Sequence, residues 1–135
     1  MPRSDEDRYE AGMRVRREVL GDAHVDQAVA RTDPFTEPFQ DFITRTAWGD
    51  IWDRPGLDRR SRSMITLATL TAVRSEGEIA LHIRAALRNG LTREEIAEVL
   101  LHVTIYAGLP AGNAAFAIAQ ETLRDMEPPS DSGQG

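Results

Sequence analysis

At 135 residues, with 41% hydrophobic and 28% charged residues, the chain has the size and balance of one globular domain that can bury its own core. A formal charge of −6 and a pI near 5.0 argue against a nucleic-acid groove or an anionic membrane surface as its partner. Cysteine is absent, which removes disulfides, thiolate nucleophiles and Cys-based zinc or redox sites; all 16 basic residues are arginine, which removes Schiff-base chemistry and any lysine general base.

In chain order the pattern is helical almost throughout. Ser4 is placed to cap a first helix over Asp5 to Leu20, and Gly21 suits the left-handed position that closes it. Asp22 opens a shorter helix through Ala30. Asp33-Pro34 is read as a helix start, and Phe35, Phe39, Phe42 and Ile43 follow at helical spacing as one apolar stripe. Ala47 to Trp52 runs into the Arg54-Pro55-Gly56 loop. Asp58 caps a helix from Arg59 to about Arg74, Ser75-Glu76-Gly77 breaks it, and the next helix spans Glu78 to Asn89. Thr92 with Glu95 three residues on forms a capping box for a helix from Arg93 to about Ala107. Gly108-Leu109-Pro110 separates that helix from the last one, Ala111 to Met126.

These segments predict an all-α fold, a compact bundle of about six short helices forming a single domain over residues 1–127. Residues 128–135, rich in Pro, Ser and Gly, are expected to be a disordered tail. The helix Arg93 to Ala107 is apolar nearly all round, so it needs cover on every side, and part of that cover is expected from other subunits. No apolar run reaches membrane-span length, and Met1 to Asp7 lacks the apolar stretch of a signal peptide, so a cytoplasmic location is expected.

With cysteine and lysine absent, proton transfer falls to three histidines, the carboxylates, two tyrosines and the hydroxyls. His82 lies at the border of an apolar helix face, with Glu78 four residues earlier on the same side. A carboxylate beside an imidazole fixes its tautomer and raises its basicity, which suits a general acid or base. A boundary histidine beside a surface carboxylate fits the same spacing. Glu98, His102 and Tyr106 make a polar row along the greasiest helix, read either as part of a pocket or as a core histidine bonded to a carbonyl. His24 is read as a surface residue. Arg59, Arg60 and Arg62 crowd a helix start, where they are either solvated or, in one case, positioned to grip a carboxylate. Trp48 and Trp52 read more readily as core than as a ligand platform. No Gly-rich phosphate loop is present, and Glu78 with His82 lacks a third ligand, so no metal site is expected.

Trp48-Gly49-Asp50-Ile51-Trp52-Asp53-Arg54-Pro55-Gly56-Leu57, Leu81-His82-Ile83-Arg84-Ala85-Ala86-Leu87-Arg88-Asn89-Gly90 and Tyr106-Ala107-Gly108-Leu109-Pro110-Ala111-Gly112-Asn113 resemble the 4-carboxymuconolactone decarboxylases. Glu95 to His102 and the leading block Arg16 to Val25 are similar to the same family, so the resemblance runs from about residue 8 to 126. The wider superfamily includes the alkylhydroperoxidase D proteins, whose site pairs a CxxC motif with a histidine. In that register His82 matches the histidine, but Ser75 and Glu78 occupy the cysteine positions and Ser63 that of an upstream glutamate. Peroxidase chemistry is therefore not available.

The resemblance implies an all-helical, usually hexameric, cofactor-free decarboxylase of protocatechuate catabolism. Its substrate would be 4-carboxymuconolactone and its product the enol-lactone of 3-oxoadipate. Loss of carbon dioxide sends electrons through the ring double bond into the lactone carbonyl, so the substrate is its own electron sink. On this reading His82 is the acid that protonates carbon, oriented by Glu78. His102 would donate to the developing oxyanion, with Tyr106 as the alternative donor. Arg62 or, second, Arg17 would hold the side-chain carboxylate, with Trp48 also among the substrate-binding candidates. A relative acting on another carboxylated lactone, or a non-catalytic scaffold on the same fold, are the competing readings.

Overall fold

The computed structural model describes residues 2–127, and the expected disordered tail at 128–135 lies outside the described residues. Seven α-helices and one π-helical stretch follow one another: α1 (Asp5–Leu20), α2 (Asp22–Arg31), α3 (Glu37–Ile43), the π-helical stretch Thr44–Trp52, α4 (Arg59–Ala72), α5 (Glu76–Arg88), α6 (Arg93–Ala107) and α7 (Leu109–Asp125). The all-α expectation holds. No helix among the described residues is long and apolar enough to cross a membrane.

Several boundaries sit where side-chain chemistry puts them. Ser4 accepts a hydrogen bond from the Asp7 amide, and Asp58 accepts one from the Ser61 amide. Both halves of the Thr92/Glu95 capping box are formed. Gly21, with φ 90°, ends α1 in a conformation that side chains resist. At Asp33 the reading needs correction. The Asp33 carboxylate accepts from the Phe35 and Thr36 amides at 3.0 Å each, a local turn that competes with helix, so α3 begins only at Glu37.

Two apolar clusters form the interior. Leu67, Ile79, Ile83, Ala86, Leu91, Ile96, Leu100, Ala115 and Ala119 join α4 to α7. Val15, Val19, Leu20, Val25, Trp48 and Ala85 join α1, α2 and the π-helical stretch to α5. Burying one such Leu or Ile contributes about 1.5–3 kcal/mol. Helix α5 belongs to both clusters, since Ile79, Ile83 and Ala86 face the first and Ala85 faces the second. It is the partition between the two halves of the molecule.

Helix α1 crosses the π-helical stretch at two glycines. A Cβ on Gly12 would overlap the Thr44 carbonyl oxygen, and one on Gly49 would overlap the Arg8 carbonyl oxygen. Arg8 locks this crossing, its Nε and Nη2 donating to Asp50 Oδ1 and Oδ2 at 2.9 and 2.7 Å.

Two apolar faces stay uncovered within the single chain. The Phe35/Phe39/Phe42 stripe is uncovered, with Phe35 90% exposed. Helix α6 buries Ile96, Leu100 and Val103 but leaves Leu101, Ile105 and Tyr106 in the open. One chain has too few helices to wrap α6.

Candidate active site

Glu78, His82 and Ala85 recur at intervals of four and three residues, so they share one stripe of α5. Ala85 is fully buried against α1, α2 and the π-helical stretch. The same side of α5 is fixed to α1 by Arg88, whose Nη1 donates to the Val19 carbonyl at 2.9 Å. His82 therefore looks toward α1 and α2, and its Nδ1 is buried with no hydrogen-bond partner among the described residues. Such an atom costs free energy unless something else completes it. No hydrogen bond joins Glu78 to His82 there, so Glu78 acts on the imidazole through space.

Burial pushes the His82 imidazole below the ordinary histidine value; the Glu78 charge pulls it back up and His24 pushes it further down. His24, on α2, is lowered by burial first and then by Arg16, with Glu78 opposing and Arg31 adding to the fall. Two histidines from different helices thus lie within electrostatic reach of Glu78, His24 lies within reach of His82, and Arg16 acts on His24. Both are held toward the neutral form.

The reading of His24 as a surface residue is corrected, since it is half-buried, and Arg16 is not among the residues the sequence reading assigns to the site. Arg16 is 5% exposed, and no carboxylate pairs with it among the described residues. The signal for it was present: Gly12, Val15, Arg16 and Val19 fall together on a helical wheel, which places a guanidinium on the buried face of α1. His24 carried no comparable signal, because its neighbourhood is made by α5.

The remaining candidates lie elsewhere. His102 and Tyr106 sit side by side on α6, ring centroids 5.3 Å apart, and both are exposed, Tyr106 by 81%. The expected burial of the Glu98/His102/Tyr106 row is thereby corrected, since these residues lie on the uncovered face of α6. His102 and Tyr106 line a shallow groove of about 290 Å³ with Met64, Ile65, Ala68 and Val99, walled by α4 and α6. Arg17 is engaged by Asp22 and Asp26 at 3.0 and 2.9 Å, which leaves its charge compensated within the chain. Arg62 donates to the Arg54 carbonyl at 3.2 Å near the start of α4. The Asn89–Ser63 hydrogen bond sets the α4–α5 register, so Arg62 lies level with the end of α5, about two turns from His82. Trp48 is 7% exposed and stacks on Trp52 at 5.2 Å as part of the second cluster. It forms the wall behind α5. Among the described residues no group of three or more His, Asp or Glu side chains converges as a metal site.

Comparison with known proteins adds the chemical class. The profile of the carboxymuconolactone decarboxylase family matches residues 37–121. The 4-carboxymuconolactone decarboxylase of Acinetobacter baylyi is 47% identical over 123 residues, 91% of this chain and 92% of that protein. The nitrosuccinic acid decarboxylase npaB of Metarhizium robertsii is 42% identical over 118 residues, 87% of this chain and 82% of that protein. A 4-carboxymuconolactone decarboxylase from Pseudomonas putida is 54% identical over 46 residues, 34% of this chain and 96% of that sequence.

Proposed function

The chain belongs to the carboxymuconolactone decarboxylase family and is a decarboxylase, and from that premise we propose that it converts 4-carboxymuconolactone into the enol-lactone of 3-oxoadipate, in protocatechuate catabolism. The observation that carries the mechanism is His82: an imidazole turned toward the interior with an unpartnered Nδ1, on one stripe with Glu78 and within electrostatic reach of His24, which in turn feels Arg16.

The chemistry needs little from the protein beyond placement. Cleavage of the bond to the carboxylate releases carbon dioxide and leaves its electron pair delocalised into the lactone carbonyl. One proton then returns to the carbon beside that carbonyl, so the reaction consumes a proton overall. His82 delivers it. Burial favours the neutral form of this imidazole. An anionic substrate set beside it favours the charged form, so substrate entry loads the acid. His24, neutral and nearby, supplies an N–H to the developing oxyanion, the interaction that usually contributes most to the rate. His102, on the far wall of α6, is not brought to His82 within one chain, and no step is assigned to it or to Tyr106. None of these steps calls for a metal or an organic cofactor.

A second reading has a specific basis, the 42% identity to a nitrosuccinic acid decarboxylase. A nitro group beside the scissile carboxylate is an electron sink just as a conjugated lactone is. Both compounds also carry a second carboxylate that survives the reaction. The shared chemistry is a polycarboxylate that bears its own sink.

Ile105, 79% exposed, together with Leu101, Tyr106, Phe35 and Phe39, supports assembly into an oligomer, for which a hexamer is the proposed size. Purified protein mixed with freshly made 4-carboxymuconolactone should release carbon dioxide and bleach the ultraviolet absorbance. Turnover of nitrosuccinate alone would select the second reading. No release from either would overturn both.

A further inference from the structure

Arg16 combines three properties in the described structure. Its side chain is buried, it faces a cavity, and one full edge of its guanidinium meets no partner. Guanidinium offers five N–H donors. Here Nη1 donates to Gln40 Oε1 at 3.1 Å and to Thr44 Oγ1 at 3.4 Å, while the Nε–H is buried and unanswered among the described residues. Arg8, about two turns back on the same helix, shows what this edge does in company. Its Nε and Nη2 together grip both oxygens of Asp50. The corresponding edge of Arg16 has no carboxylate.

A buried cation without a counter-ion costs free energy that a fold serving stability alone would avoid. Methionine or leucine would fill the same volume. The cavity that Arg16 lines, about 300 Å³, lies between α1, α2 and α3, with Tyr9, Met13, Val29, Thr32 and Gln40 around it. Glu37 and Asp41 also stand on its α3 wall, out of ion-pair range of Arg16; Glu37 is exposed, so its charge belongs to the rim, whereas Arg16 forms the floor.

We propose that Arg16 is the anchor for the carboxylate the substrate keeps, gripped side-on through Nε and Nη2 at the floor of this cavity, while the scissile carboxylate is left beside His82 and His24. The assignment rests on the polycarboxylate reading above. It displaces Arg17, which is already paired twice, and is preferred to Arg62, whose Nε is likewise buried and unanswered but which lines no part of this cavity and lies about two turns from His82 along the α4–α5 hairpin. It also divides the work in the direction decarboxylation requires. A cation on the departing carboxylate would stabilise the ground state and slow its loss. A cation on the retained one binds ground state and transition state alike.

The test compares wild-type protein with Arg16→Met by calorimetric titration with glutarate, a dicarboxylate that has no electron sink and is not consumed. Affinity should fall about 10–100-fold in Arg16→Met, the worth of charge-assisted hydrogen bonds in a desolvated place. Its Tm should hold or rise, because an unpaired buried charge is gone. In wild-type protein the buried Arg16 Nε–H resonance should shift as glutarate saturates, a measurement that needs no variant to fold. Unchanged glutarate affinity in Arg16→Met, or an Nε–H signal that does not move, overturns the anchor. With 4-carboxymuconolactone, KM should rise in Arg16→Met while kcat changes only a few-fold. Glutarate binding through Arg16 without turnover of either candidate substrate would keep the anchor and remove the reaction. Turnover with unchanged KM in Arg16→Met would do the reverse.

Discussion

His82 and His102 look alike in the sequence. Each follows a glutamate by four residues on a helix, and each lies beside apolar positions. In the folded chain they part company. His82 faces α1 and α2 with a buried, unpartnered nitrogen, whereas His102 stands exposed above the α4–α6 groove. The difference does not come from either helix but from what is laid over it. Helix α5 is covered on both sides by the two halves of the chain, and α6 is covered on one side only. Helical spacing tells which residues share a stripe; it cannot tell whether that stripe is covered by the same chain, by another copy or by water.

The largest expected effect is at His82. His82→Ala should lower turnover by about two to four orders of magnitude, the usual worth of a positioned general acid. Helix content by circular dichroism and elution volume should stay as in wild type. His102→Ala, by contrast, should cost less than tenfold in kcat; losses of equal size at the two positions would break the comparison outright.

Glu78→Gln sharpens it. The Glu78 charge raises the His82 imidazole against the effect of burial, so its removal lets the imidazole fall further. Turnover should drop, by less than in His82→Ala, and the pH optimum should move to lower pH. The double variant should be little worse than His82→Ala alone, since a residue acting through its neighbour has nothing left to act on. Defects that multiply would show the two working separately.

On the uncovered side, Ile105→Asp should shift the protein to a smaller species in light scattering, by placing a charge where a second copy is expected to lie. If the wild-type protein is already a monomer at micromolar concentration, the account of α6 fails. The smallest effect concerns acid. His82 and His24 are held below the ordinary value of 6.5 in the fold, so the unfolded chain binds more protons between the two values. Their contribution is present above about pH 6.5 and fades as pH falls below it. A melting curve taken in steps from pH 7.5 to 5 should show a modest decline in Tm that His82→Gln reduces.

How much was legible follows the same division. Ser4, Asp58 and the Thr92/Glu95 box could be read in the sequence because a cap is a local bargain between a side chain and the next turn. Asp33 misled for a local reason too, since its carboxylate satisfies a turn as readily as a helix start. The π-helical stretch had no local signal: its winding answers the close crossing at Gly12 and Gly49, a contact between residues far apart in the chain. The site shows both kinds. Glu78 with His82 was visible as a spacing, and Arg16 was visible on a wheel as a cation on an apolar face. His24 was not, because its significance depends on α5 being folded against it.

Gly21 has so far been only the residue at which α1 stops. It is also the single joint between the helix that carries Arg16 and the helix that carries His24. Its dihedrals, φ 90° and ψ 149°, therefore set the angle of a caliper whose jaws are a cation and an imidazole. Arg17 clips the two arms together through Asp22 and Asp26, and the Arg88 side chain lies 3.0 Å from where a Cβ would project. A side chain at Gly21 must either strain the joint or reset it. If the joint resets, the protein still folds and still places its acid, but its gauge is wrong: it would measure out a molecule of a different length.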